Sequence, residues 1–130
     1  MNNEIKIGVL TVETTKIRLL SFIELMKPEL TGLSVLTTLC GFYLGSTGIF
    51  DLVRFVWVAL GTTLVGGGLG ALNQFFERHY DTMMRRTERR PLPSGRLLPD
   101  EAFWFGVAIL IVGIGILIVS SNALTGVLAL

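Results

Sequence analysis

Three stretches without a charged residue constrain this chain more than anything else in it. Leu30 to Phe50, Phe55 to Phe76 and Ala102 to Val119 run for 21, 22 and 18 residues. A helix rises about 1.5 Å per residue, so runs of this length suit a hydrocarbon core of roughly 30 Å. Charged residues make up only 16% of the 130-residue chain, against roughly a quarter in soluble domains. The pattern predicts an all-α, multi-pass transmembrane helical bundle. After the break at Ser120-Ser121-Asn122 the chain is apolar again from Ala123 to Leu130. Three spans and the start of a fourth are therefore expected.

The basic residues give an orientation. Lys6, Lys16, Arg18 and Lys27 precede the first run, and Arg78, Arg85, Arg86, Arg89, Arg90 and Arg96 follow the second. Arg54 stands alone between the first two runs. Under the positive-inside rule the N-terminus and the 77–101 loop are expected in the cytoplasm, with the chain in the cell (plasma or inner) membrane. Trp57 and Trp104, near run ends, are expected as interface anchors.

Residues 1–29 read as a cytoplasmic N-terminal segment and 30–130 as a partial transmembrane domain. The first segment lacks the apolar core and small-residue cleavage site of a signal peptide. Residues 1–15 are expected to be mobile, and Ile17 to Met26 to lie along the membrane surface. Lys27-Pro28 marks a helix start, because proline is tolerated in the first turn. The single cysteine, Cys40, sits in an apolar run and reads as a small apolar residue. Gly41 and Gly45 form a small-xxx-small pair, predicting close helix packing. Gly66-Gly67-Gly68-Leu69-Gly70 lacks the strand and complete glycine pattern of a nucleotide loop, so it too reads as a packing surface.

Chemistry concentrates where the second run turns polar. Asn73, Glu77 and Asp81 are spaced i, i+4, i+8. If the helix continues to Asp81, all three lie along one side of it. An amide oxygen and two carboxylates suit Mg²⁺, which commonly takes one or two protein carboxylates and fills its shell with water and phosphate oxygens. The arginines of Arg85-Arg86-Thr87-Glu88-Arg89-Arg90 follow, and guanidinium groups grip phosphate bidentately. Acidic ligands followed by basic forks read as a metal-diphosphate site. A basic loop is also what membrane topology requires, so Arg78, Arg85 and Arg89 are assigned to topology alone. Lys27 is a candidate phosphate contact at the mouth of the first helix, with snorkelling to the interface as the alternative. His79, the only histidine, reads as a solvated interfacial residue rather than an iron ligand. Pro91, Pro93, Gly95 and Pro99 break the helix, and Pro99-Asp100-Glu101 begins another. Nothing in the chain points to nucleic acid.

At these residues the sequence resembles the UbiA superfamily of intramembrane prenyltransferases, and within it the branch that farnesylates heme. The Asn-x-x-x-Glu-x-x-x-Asp run from Asn73 to Asp81 is similar to the superfamily's first acidic motif. Arg86-Thr87-Glu88-Arg89-Arg90-Pro91-Leu92-Pro93-Ser94-Gly95 is similar to a run of the heme branch. Lys27-Pro28 and Thr37-Thr38-Leu39-Cys40-Gly41-Phe42 resemble the start of its first helix. The resemblance implies transfer of a farnesyl group from farnesyl diphosphate to heme b, giving heme O. It implies Mg²⁺ at Asn73, Glu77 and Asp81 as the catalytic set, and substrate contacts from Arg86, Arg90 and Lys27. It also implies contact with the lipid bilayer and association with heme A synthase or other membrane partners. Two departures stand out. Glu29 occupies a position where relatives usually carry arginine. The resembling fold has nine helices and a second acidic motif between the sixth and seventh, so the chain is expected to be an N-terminal fragment, inactive alone. Prenylation of a quinone or chlorophyll precursor, and a non-catalytic membrane fragment or assembly partner, remain as alternatives.

Overall fold

The computed structural model describes residues 2–46, 48–121, 125 and 128, with side chains from Val12 onward. Four helices are delimited among the described residues: α1 (Asn2–Leu25), α2 (Pro28–Gly45), α3 (Leu52–Asp81) and α4 (Pro99–Ser120). No strand occurs among the described residues. The apolar stretch after Ser121, expected to start a fourth span, lies outside the described residues apart from Thr125 and Leu128.

The expected mobile segment is helical from Asn2. Before Pro28 the chain contains one glycine, Gly8, and no proline, so nothing local interrupts the backbone hydrogen bonds. Ser21 and Leu25 are buried, while Ile17, Leu19, Leu20 and Ile23 are exposed. Among the described side chains α1 offers an apolar side to its surroundings and buries residues of its C-terminal end on the bundle.

α2 stops at Gly45, five residues short of the expected Phe50. Ser46 ends it: its backbone N–H donates to the Tyr43 carbonyl at 3.3 Å. Its hydroxyl donates to the Phe42 carbonyl at 2.7 Å. Gly48, at φ 107°, then takes a backbone conformation that few other residues adopt. α3 opens on Asp51, whose carboxylate accepts the Arg54 N–H at 3.0 Å. It runs 30 residues to Asp81, about 45 Å and longer than a hydrocarbon core is thick. Its polar end therefore continues the membrane helix, as the spacing argument required. Among the described residues, α3 and α4 are long and apolar enough to cross a bilayer. α2 has the length, but Thr31, Ser34, Thr37, Thr38 and three glycines dilute its apolar character.

Glycines set the α3–α4 contact. A Cβ on Gly68 would lie 2.8 Å from the Gly106 carbonyl oxygen, and one on Gly113 would lie 2.8 Å from the Val65 nitrogen. These are backbone atoms that cannot yield, so the helices meet at a distance only glycine permits. Gly70 serves the α1 end in a similar way, against the Leu25 and Met26 carbonyls, while Gly67 lies under the Met26 side chain. Gly41 and Gly45 differ from expectation. Neither has a neighbour within 4 Å of where a Cβ would sit; α2 meets α3 through other positions, with Thr31 on Gly66 and Phe42 beside Phe55.

The 82–98 connection is tightly folded. Ser94 N–H donates to Arg90, Gly95 N–H to Leu92, and the Arg96 and Leu97 N–H groups to Pro91. Gly95, at φ 72°, makes the return. Leu92 and Leu97 are thereby buried with Leu25, Ala71 and Ala102 under Phe22, Phe75 and Phe105. Leu92 belongs to the arginine-rich run, so part of that run serves packing. Two ion pairs close this end: Arg96 with Glu24 at 2.9 Å, and Arg18 with Glu101.

Candidate functional site

The site forms where α3 ends and the connection folds back on it. Thr87 is buried, and its hydroxyl donates to the Asp81 carbonyl at 2.9 Å. That bond caps the end of α3 and reverses the chain. Arg90 arrives beside Asp81 as a result. Its Nη1 donates to both Asp81 oxygens, at 2.9 and 2.8 Å. The same nitrogen stands 3.8 Å from Glu77 Oε2. The Asp81 side chain is 6% exposed, and Glu77 48%.

Two carboxylates thus converge on one cationic nitrogen. The Arg90 guanidinium occupies the position where their fields add, and it marks a point at which a positive charge is favoured. Asn73 lies one turn earlier. Successive residues turn about 100° round a helix, so Asn73, Glu77 and Asp81 spread over about 80° of one side. Asn73 and Glu77 are exposed, and only Asp81 turns under the connection. Among the described residues no group of three acidic, histidine or cysteine side chains forms a ready metal cluster. Arg90 is the cation that Glu77 and Asp81 face among the described residues.

Beside this point lies a cavity of about 630 Å³ between the α1–α2 junction, α3 and the connection. Lys27, Arg86 and Arg90 all line it, together with Gln74, Glu24, Glu29 and apolar Leu20, Ile23 and Leu30. The fold brings together three cations that are distant in sequence. Arg90 is held by Asp81, and Glu24 by Arg96. His79 is exposed on α3 and lies outside this lining. Arg78 folds back on Phe75, donating to its carbonyl at 2.7 Å with the guanidinium 4.3 Å from the ring centroid.

Sequence reasoning did not single out Gln74 or Thr87. Gln74 is 2% exposed, and its Nε2 donates to the Glu24 and Leu25 carbonyls at 3.3 Å. A glutamine at membrane depth beside Asn73 is itself an unusual signal, but its partners lie some fifty residues away.

The model of the UbiA prenyltransferase family matches residues 34–130. The chain belongs to the UbiA prenyltransferase family. Among curated relatives, a protoheme IX farnesyltransferase of Salinibacter ruber is 40% identical over 96 residues, 74% of this chain and 34% of the relative. One from Legionella pneumophila (strain Corby) is 37% identical over 107 residues, 82% of this chain and 36% of the relative. One from Leptospira biflexa is 41% identical over 107 residues, 82% of this chain and 38% of the relative. The chain spans about a third of the length of these relatives. No solved structure matches it. Asn73, Glu77, Asp81, Arg86 and Arg90 fall inside the UbiA match, while Lys27 precedes it. This UbiA-family chain is therefore a membrane protein whose polar helix end and folded connection lie within the family's own region.

Proposed function

We propose that this chain forms part of an intramembrane prenyltransferase that transfers a farnesyl group from farnesyl diphosphate to heme b, giving heme O and diphosphate. The observation that carries it is the convergence of Glu77 and Asp81 on one cationic point beside a cavity lined by Lys27, Arg86 and Arg90. The names of the relatives supply the substrate pair.

Asn73, Glu77 and Asp81 would hold Mg²⁺, which when bound would offset the charge gathering on the departing diphosphate. Arg86 and Lys27 line the cavity, where each can donate charge-assisted hydrogen bonds to phosphate oxygens. Arg90, which pairs with Asp81 in this structure, would give up that place to the metal and turn its N–H groups to the phosphate oxygens in the same space. A farnesyl group released from its diphosphate is an allylic cation and must be kept from water. A second cavity, of about 390 Å³, runs between α2, α3 and α4 and is lined by Val65, Gly66, Leu69 and Leu117 with Ser34, Thr38 and Thr62. That mainly apolar space suits a prenyl chain. On this reading residues 30–130 are a partial prenyltransferase domain, and the rest of the bundle supplies a second acidic motif. The N-terminus and the 77–101 loop face the cytoplasm from the plasma or inner membrane, where heme A synthase is a natural partner for the product.

The test is a chimera in which this chain replaces the matching third of a curated protoheme IX farnesyltransferase, expressed in cells lacking heme O synthesis. Heme O should appear. Glu77→Gln or Asp81→Asn in the chimera should lower it about a hundredfold or more, the scale of losing one preorganised electrostatic group. A chimera that is inserted and folded but makes another prenylated product would refute the heme assignment. Full activity in both variants would refute the metal site.

A further inference from the structure

The α1–α2 junction is an unusual piece of backbone. Lys27 has φ 48° and ψ 65°, the only left-handed residue other than glycine among the described residues. It also precedes Pro28, and a residue before proline is pushed away from helical conformations towards extended ones. A lysine in this state is disfavoured twice, so its surroundings must impose it.

Those surroundings are specific. Gln74 donates from Nε2 to the carbonyls of Glu24 and Leu25, at 3.3 Å each. Thr31 is buried, and its hydroxyl donates to the Met26 carbonyl at 2.7 Å. Together they tie down three successive carbonyls just before Lys27. From below, Gly70 lets the elbow settle on α3: a Cβ there would meet the Leu25 and Met26 carbonyl oxygens at 3.1 and 3.2 Å. Gln74 Oε1 is buried and has no hydrogen-bond partner among the described residues. The same side chain lines the cavity with Lys27, Arg86 and Arg90. Gln74 thus links the carbonyls before Lys27 to the wall of the cavity that Lys27 lines. No ion pair among the described residues engages the Lys27 ammonium, although Glu24 and Glu29 also line the space.

We propose that Gln74 is a positioning residue that holds the left-handed elbow at Lys27 and so delivers the lysine ammonium to a diphosphate in this cavity. The proposal rests on the anion-binding reading of the cavity given above. It accounts for a glutamine at this depth in α3 and for a strained lysine at a helix start. It also gives the Gly70 contact a purpose beyond helix packing.

The probe is inorganic pyrophosphate with Mg²⁺, titrated into the detergent-solubilised chain by calorimetry. Lys27→Ala should weaken binding about tenfold, the scale of one charge-assisted hydrogen bond. Gln74→Ala should weaken it by a similar factor. In the Lys27→Ala background, Gln74→Ala should then have no further effect, because the lysine it positions is gone. Thr31→Val, which keeps shape and removes the hydroxyl, serves as a second variant should Gln74→Ala lose helicity, and it should behave in the same way. Equal losses from Gln74→Ala with and without Lys27 would mean a merely structural role and would overturn the proposal, as would unchanged affinity in both variants. Failure of the unaltered chain to bind pyrophosphate would instead overturn the anion cavity itself, and the positioning role with it. Inorganic phosphate binding as tightly as pyrophosphate would point to a lipid-headgroup site and overturn the assignment to diphosphate.

Discussion

Removing Arg90 should unbalance the centre of the site. Its Nη1 donates to both oxygens of Asp81, whose side chain is 6% exposed, while the Arg90 side chain is 26% exposed. Breaking a fully buried pair from one side costs about 3–5 kcal/mol. Partial exposure of Arg90 lets water relieve some of this, so Arg90→Met should cost about 2–3 kcal/mol. Asp81→Asn should cost less, about 1–2 kcal/mol, because the guanidinium keeps Glu77 at 3.8 Å and some solvent. The double variant leaves neither charge stranded and should cost no more than Arg90→Met alone. The coupling is then about 1–2 kcal/mol, within the range for residues in direct contact. Reversible unfolding of the chain in mixed detergent micelles measures all four proteins. Costs that simply add, or an Arg90→Met variant within about 0.5 kcal/mol of the parent, would refute the pairing and the convergent cation point built on it.

Further outcomes are expected elsewhere. Gly68→Ala drives a methyl to 2.8 Å from the Gly106 carbonyl oxygen and should cost about 1–3 kcal/mol by overpacking. Gly41→Ala meets nothing within 4 Å and should be neutral or gain up to about 1 kcal/mol from helix propensity; equal costs in micelle unfolding would refute the glycine-mediated α3–α4 contact. Gly95→Ala also meets no atom within 4 Å, yet at φ 72° it should cost about 1–2 kcal/mol of backbone strain, and no loss in the same assay would contradict the turn. For orientation, cysteines at the exposed positions Thr82 and Ser94, in a Cys40→Ser background, should resist a membrane-impermeant thiol reagent in intact cells and react after permeabilisation. Ready labelling of both in intact cells would reverse the topology.

The helical, membrane-embedded character of the chain could be read from its letters, because it depends on local quantities. Long uncharged runs exclude a solvated loop, and backbone hydrogen bonds within a helix need no distant partner. The extension of α3 to Asp81 followed from the same logic, since nothing between Phe76 and Asp81 breaks a helix. The acidic spacing and the arginine run were visible for that reason, and membership of the UbiA family agrees with them. At Gly41 and Gly45 spacing suggests a packed seam, and none of the described helices arrives there. Over residues 2–15, where mobility was expected, the backbone is helical. What only the tertiary structure decided are the pairings between segments. Arg90 reaches Asp81 because Thr87 turns the chain back on α3. Gln74 finds the carbonyls of α1 because Gly67 and Gly70 let the α1 end settle there. Such contacts depend on how far apart two backbones come to rest. That distance is set jointly by residues scattered along the chain, so no single stretch of sequence contains it.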